Sequence, residues 1–283
     1  VLDISGLTVF DGLARKSFQS GSGGELRLPN LVHMTSTSIY ASAPLSLPAL
    51  SGIDGVGSRF QVDAGASISA PLLVAAQNLT LDLSEGSFSL NSLTSLSGGD
   101  IFVFGYSNEN LNLPELTTLV DCNVSLYDKS SFSTPKLTSI ANSVLKNLYI
   151  YGGANWSSAL TSLQNLSITG YQNARFSMPG LLNYNFSVSG GALWASDVGA
   201  YLSFPDLQSI TMTASATSST VVLAQNGGDL ELPKLTTVNT DVNSTGNFVS
   251  RGIGSLINAP LLANYDPAFV TFYAQDGGVI VRP

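Results

Sequence analysis

A degenerate phrase returns every 19 to 28 residues along the chain, and that return constrains the fold more than any local propensity. It reads apolar, any, apolar, Pro, any, Leu, Thr or Ser, any, apolar. It is plainest at Leu26–Leu31 (LRLPNL) and Leu230–Leu235 (LELPKL). The proline column runs Ser5, Pro29, Pro48, Pro71, Asn91, Pro114, Pro135, Ser158, Pro179, Pro205, Pro233, Pro260 and Pro283. Where Pro is replaced, the Leu two places on survives as Leu7, Leu93 and Leu160. Units of this kind bury their apolar faces only against their neighbours. Residues 1–283 are therefore read as one β-solenoid domain. Both ends fall in the phase of the repeat, so the expectation is a segment cut from a longer chain with further domains.

Two alternating segments recur in each unit. The first precedes the anchor, as at Leu111 and Leu113; the second follows it, as at Leu148 and Ile150 or Leu166 and Ile168. A period of two turns one face inward. Proline has no N–H to give a sheet ladder, so it belongs at the strand end, where the chain turns. The apolar residues beyond it keep a spacing of three, as at Leu116 and Leu119, and are read as a corner or short bent segment. Gly, Asn and Asp mark the other turns. No stretch holds a helical period over a dozen residues. The predicted fold is all-β, a single right-handed parallel β-helix of about twelve coils and roughly 55–60 Å long at the usual rung spacing. The alternative is a leucine-rich-repeat-like solenoid, whose usual LxxLxLxxN phrase is missing from most coils.

Charged residues make up 11 % of the chain and the formal net charge is −8. Without a run of Lys or Arg, such a surface repels phosphate, so nucleic acid is not an expected partner. No apolar stretch is long enough to span a bilayer as a helix, and membrane insertion is not expected. The single cysteine, Cys122, excludes an internal disulfide and is read as core. Six N-x-S/T sequons, at Asn78, Asn123, Asn155, Asn165, Asn185 and Asn243, are about what so much Asn, Ser and Thr produces by chance.

The L-x-L-P-x-L-T phrase resembles the repeats in long β-helical stretches of large secreted bacterial surface proteins, and is similar in style to the coils of receptor L domains. The resemblance covers essentially the whole chain. It implies secretion or cell-surface display with a structural or adhesive role, and it carries over no catalytic residue.

The position two before each anchor should face solvent: Asp3, Arg27, Ser46, Ser69, Ser89, Asn112, Ser133, Trp156, Ser177, Ser203, Glu231, Asn258 and Val281. A flat ladder of small polar side chains is a solvated face or a platform for an extended glycan. Tyr127, Tyr149 and Trp156 are the candidate carbohydrate-stacking residues, since an aromatic ring offers sugars an apolar face and a polar edge. Asp63 and Asp82 are expected at equivalent places in adjacent coils with no Lys or Arg nearby, as a solvated pair or a Ca²⁺ site. The same pair would serve a polysaccharide lyase or glycoside hydrolase, the alternative function. Against catalysis, the one histidine, His33, falls in a corner, and no coil clusters Asp, His, Arg and Lys. The function expected is an extracellular or cell-surface adhesive repeat that binds polysaccharide or another surface ligand.

Overall fold

A computed structural model describes residues 1–20, 24–188, 190–213, 219–241 and 244–283. The Asn243 sequon lies outside them. Among the described residues there is no helix, and parallel strands stack into a β-solenoid with about 11 turns in all. The chain divides into two compact units, Val1–Leu137 with Trp156–Ser158, and Thr138–Asn155 with Ala159–Pro283.

Most coils contain three strand segments, one more than the sequence periodicity suggests; in the others the second and third run together as one strand, as at His33–Ala41 and Ser162–Tyr171. In the first unit one coil runs through Ser67–Ser69, Ala75–Gln77 and Leu79–Leu83. In the second unit one runs through Tyr201–Ser203, Ser209–Met212 and Ser219–Gln225. The supposed corner after the anchor therefore carries a short strand of its own. Its spacing of three arises because the first apolar residue ends a turn and the second lies in the strand, as with Leu116 and Leu119, both buried.

The proline column has a simple cause. Leu50 N–H donates to Leu47 C=O at 3.2 Å, Leu116 to Leu113 at 3.2 Å and Leu235 to Leu232 at 3.1 Å, each across a Pro-x pair. These are β-turns with Pro at the second position, where its fixed φ is already correct and its missing N–H costs nothing. The Leu that closes the turn points inward. Leu50, Leu73, Leu93, Leu116 and Leu137 in the first unit are all fully buried. Leu160, Leu181, Leu207, Leu235 and Leu262 in the second are at most 2 % exposed. Fully burying one such side chain contributes about 1.5–3 kcal/mol, so these columns are a main source of stability.

The corner before the third strand needs a left-handed residue, and Asn78 (φ 55°), Asp121 (φ 55°) and Asn165 (φ 54°) supply it. Asn and Asp tolerate that region because their side chains bond the nearby backbone. Asn165 does more. Fully buried, its Nδ2 donates to Asn142 C=O at 2.8 Å and to Ser187 Oγ at 2.9 Å, while its Oδ1 accepts from Ser187 N–H at 2.8 Å.

Register is maintained from coil to coil. Ser46 pairs with Ser69 and Ser69 with Ser89 in the first unit. In the second, Ser177, Ser203, Glu231, Asn258 and Val281 form one continuous column. The ladder two before the anchor faces outward, with one exception, Trp156, which is buried.

Candidate functional site

In several coils the third strand, or the residues just past it, carries outward aromatic rings. In the second unit the ladder matches Tyr149 with Thr169, Thr169 with Trp194, Trp194 with Leu223, Leu223 with Val249 and Val249 with Tyr273. Alternation explains the placement: Leu148, Ile150, Leu193 and Phe248 point inward and are buried, so the residues between them face out. Beside this column Tyr151 is in register with Tyr171. The Tyr171 ring lies 6.2 Å from Tyr149 and stacks on Tyr151 at 5.1 Å and 15°. Burial, then the neighbouring Tyr149 and Asp197, raise the Tyr171 phenol above its ordinary value. Trp194 is half-buried, and its indole N–H, closed to solvent, meets no acceptor among the described residues. The result is a column over six strands in which the rings of Tyr149, Trp194 and Tyr273 are separated by the buried Thr169 and by Leu223 and Val249.

The first unit has a second group. Backbone bonds from Asp63 to Ala41, Ser84 to Val62, Phe104 to Leu83 and Tyr127 to Val103 place Asp63, Ser84, Phe104 and Tyr127 in one column. Phe104 stacks on Tyr127 at 4.7 Å and 7°, and on Tyr106 at 5.9 Å and 6°. Phe102 lies 6.3 Å from Phe104 on the other side. Tyr106 is 69 % exposed at the end of this row.

Of the three rings singled out from the sequence, Tyr127 and Tyr149 are half-buried and outward. Trp156 is not at the surface. It is 2 % exposed, its ring packs 5.0 Å from Phe132, and its Nε1–H donates to Thr134 Oγ1 at 2.9 Å. Its coil reaches the core Leu in one residue fewer than its neighbour does, since Trp156 precedes Leu160 by four and Phe132 precedes Leu137 by five. A slip of one residue moves a side chain to the opposite face. Trp194 takes the role the sequence assigns to Trp156. Phe102 and Phe104 were also legible, because they alternate with the inward Ile101 and Val103.

The acidic pair is not formed. Asp82 is matched with Gln61, while Asp63 falls two residues on, level with Ser84. Asp82 is buried and ion-paired with Arg59, with Ser84 Oγ donating to it at 3.2 Å, so a cation does accompany it. Asp63 is exposed and accepts from Ser42 Oγ at 2.9 Å. Among the described residues no three His, Cys, Asp or Glu side chains converge as a metal site. His33 lies 3.4 Å from Asp54 and its ring packs against Gly52, at the start of the strand His33–Ala41 and not in a corner.

No protein family, no curated protein and no solved structure matches the chain.

Proposed function

We propose that this chain is an extracellular or cell-surface recognition module that binds an extended polysaccharide along the outward aromatic column of the second unit. The observation that carries the reading is the register of Tyr149, Trp194 and Tyr273 in one column, with Tyr151 and Tyr171 beside it. Strands of a parallel sheet lie about 4.8 Å apart, close to the length of one pyranose unit, so a glycan running across the strands advances about one strand per sugar and meets a ring at Tyr149, Trp194 and Tyr273. Rings stiffened by their neighbours bind with little loss of side-chain entropy. The low charge and the Ser, Thr and Asn of the flanking columns suit hydroxyl recognition and an adhesive role. Catalysis by paired carboxylates finds no support, because Asp82 is buried against Arg59.

The test is retention on a panel of immobilised neutral polysaccharides. The wild-type chain is expected to bind at least one. Tyr149→Ala and Trp194→Ala are each expected to weaken it by up to about tenfold, the effect of losing a stacking contact. Retention by neither wild type nor variants, or equal retention by all three with folding intact, refutes the assignment.

A further inference from the structure

In the first unit, Asp63, Ala64, Ser84, Glu85 and Tyr106 line a shallow concavity of about 170 Å³. One wall is the Tyr106 ring. It is 69 % exposed, yet it continues the near-parallel row formed with Phe104 and Tyr127 and so is held in place. The other wall carries two exposed carboxylates, Asp63 and Glu85. Neither has an ion-pair partner among the described residues, in contrast to Asp82, three residues before Glu85, which is closed by Arg59. Ser42 orients the Asp63 carboxylate through its 2.9 Å hydrogen bond. No Lys or Arg lines the concavity.

An aromatic ring and two unpaired carboxylates that line one concavity select for a particular kind of ligand. A neutral sugar would use the ring and leave the carboxylates solvated; an acidic sugar would be repelled by them. A positive ammonium on a compact apolar body uses both walls, through cation–π attraction to the ring and charge-assisted hydrogen bonds to the carboxylates. We propose that this concavity is a binding site for the free amine of an amino sugar, a glucosamine-type residue within a glycan. The assignment rests on the glycan-binding reading above and narrows it to a ligand class, at a site separate from the Trp194 column. The carboxylates supply the preference for a charged amine over its N-acetylated form, since acetylation removes both the charge and donors.

The test compares calorimetric binding of glucosamine oligomers, their N-acetylated counterparts and a neutral glucan to the intact chain. The wild type is expected to prefer the free-amine oligomer, and the preference is expected to shrink as salt is added. Tyr106→Ala and the double variant Asp63→Asn/Glu85→Gln are each expected to reduce that preference about two- to fivefold. These positions are exposed, so the variants should fold, which circular dichroism checks. Equal affinity for amine and N-acetyl oligomers overturns the proposal, as does a preference that survives in the double variant. Equal binding of a lysine oligomer overturns the sugar assignment. If neutral glucan is bound and no amine preference appears, only this inference fails; if no glycan is bound, the underlying reading fails with it.

Discussion

Replacing Asn165 separates two contributions that its position combines. The side chain makes three short hydrogen bonds from a fully buried site, to Asn142 C=O, Ser187 Oγ and Ser187 N–H. At about 1 kcal/mol net for each, their loss destabilises the second unit locally by about 3 kcal/mol. The backbone adds a second effect, because φ is 54° and alanine tolerates that region poorly, at about 1 kcal/mol or more. Asn165→Ala is therefore expected to cost about 4 kcal/mol and Asn165→Gly about 3 kcal/mol, since glycine loses the same bonds without the backbone strain. Stacked repeats open region by region, so a single unfolding midpoint is a poor reporter. Amide hydrogen exchange over residues 139–171 and 183–188 is the better assay. Protection there should fall about 10³-fold for Ala and about 10²-fold for Gly, given tenfold for each 1.4 kcal/mol. A fall below tenfold for Ala, or indistinguishable Ala and Gly variants, would refute the argument. The first result would mean the bonds are replaced by water; the second would mean the corner relaxes out of the left-handed region.

Three further outcomes follow from buried groups. Trp156→Ala should destabilise the first unit by about 3–5 kcal/mol and Trp156→Phe by about 1 kcal/mol through the lost bond to Thr134. Neither should change glycan retention, and a specific loss of binding with stability intact would return Trp156 to the surface. Arg59→Met leaves the buried Asp82 carboxylate uncompensated and should cost about 2 kcal/mol in denaturant unfolding, below the usual buried-pair range because the Arg59 side chain is 36 % exposed. Adding Asp82→Leu should recover most of that loss, and failure to recover would show that the pair matters for more than its charge. Tyr184 is fully buried, and burial pushes its phenol well above the ordinary 10.0. The folded state thus keeps a proton that the unfolded state gives up above about pH 10. Stability is fully present below that pH and falls by about 1.4 kcal/mol per pH unit above it. Tyr184→Phe should remove that increment from the alkaline slope, and an unchanged slope would sink the attribution.

The repeat made the solenoid legible because each recurring residue has a geometric duty the chain cannot easily evade. Pro48 and Pro114 sit where a turn needs their φ and not their N–H, and the Leu that follows each is the residue the turn drives into the core. The third strand segment was harder to see. Strands of three residues such as Ala75–Gln77 or Ser95–Ser97 are too short to establish a period, and their single inward residue reads equally well as a corner.

The candidate site was less legible for a reason that follows from the same architecture. In a solenoid the fold depends on which residues face inward, whereas a surface site depends on which outward residues of different coils are level. The first is set within a coil and survives changes of coil length. The second requires the exact residue count between coils, and here that count varies from 19 to 28. Asp63 and Asp82 look equivalent in their local phrases, yet the ladder matches Asp82 with Gln61 and brings Arg59 within reach of its carboxylate. One residue fewer before Leu160 is enough to turn Trp156 from the surface to the core, while the outward tryptophan is Trp194, matched with Thr169 in a different sheet. Extra residues taken up between paired positions, as between Asp11 and Lys16 or between Ala141 and Lys146, absorb part of these differences in length while the flanking ladder stays in register. Surface chemistry can therefore be rearranged by inserting or deleting a corner residue while every inward Leu column is kept.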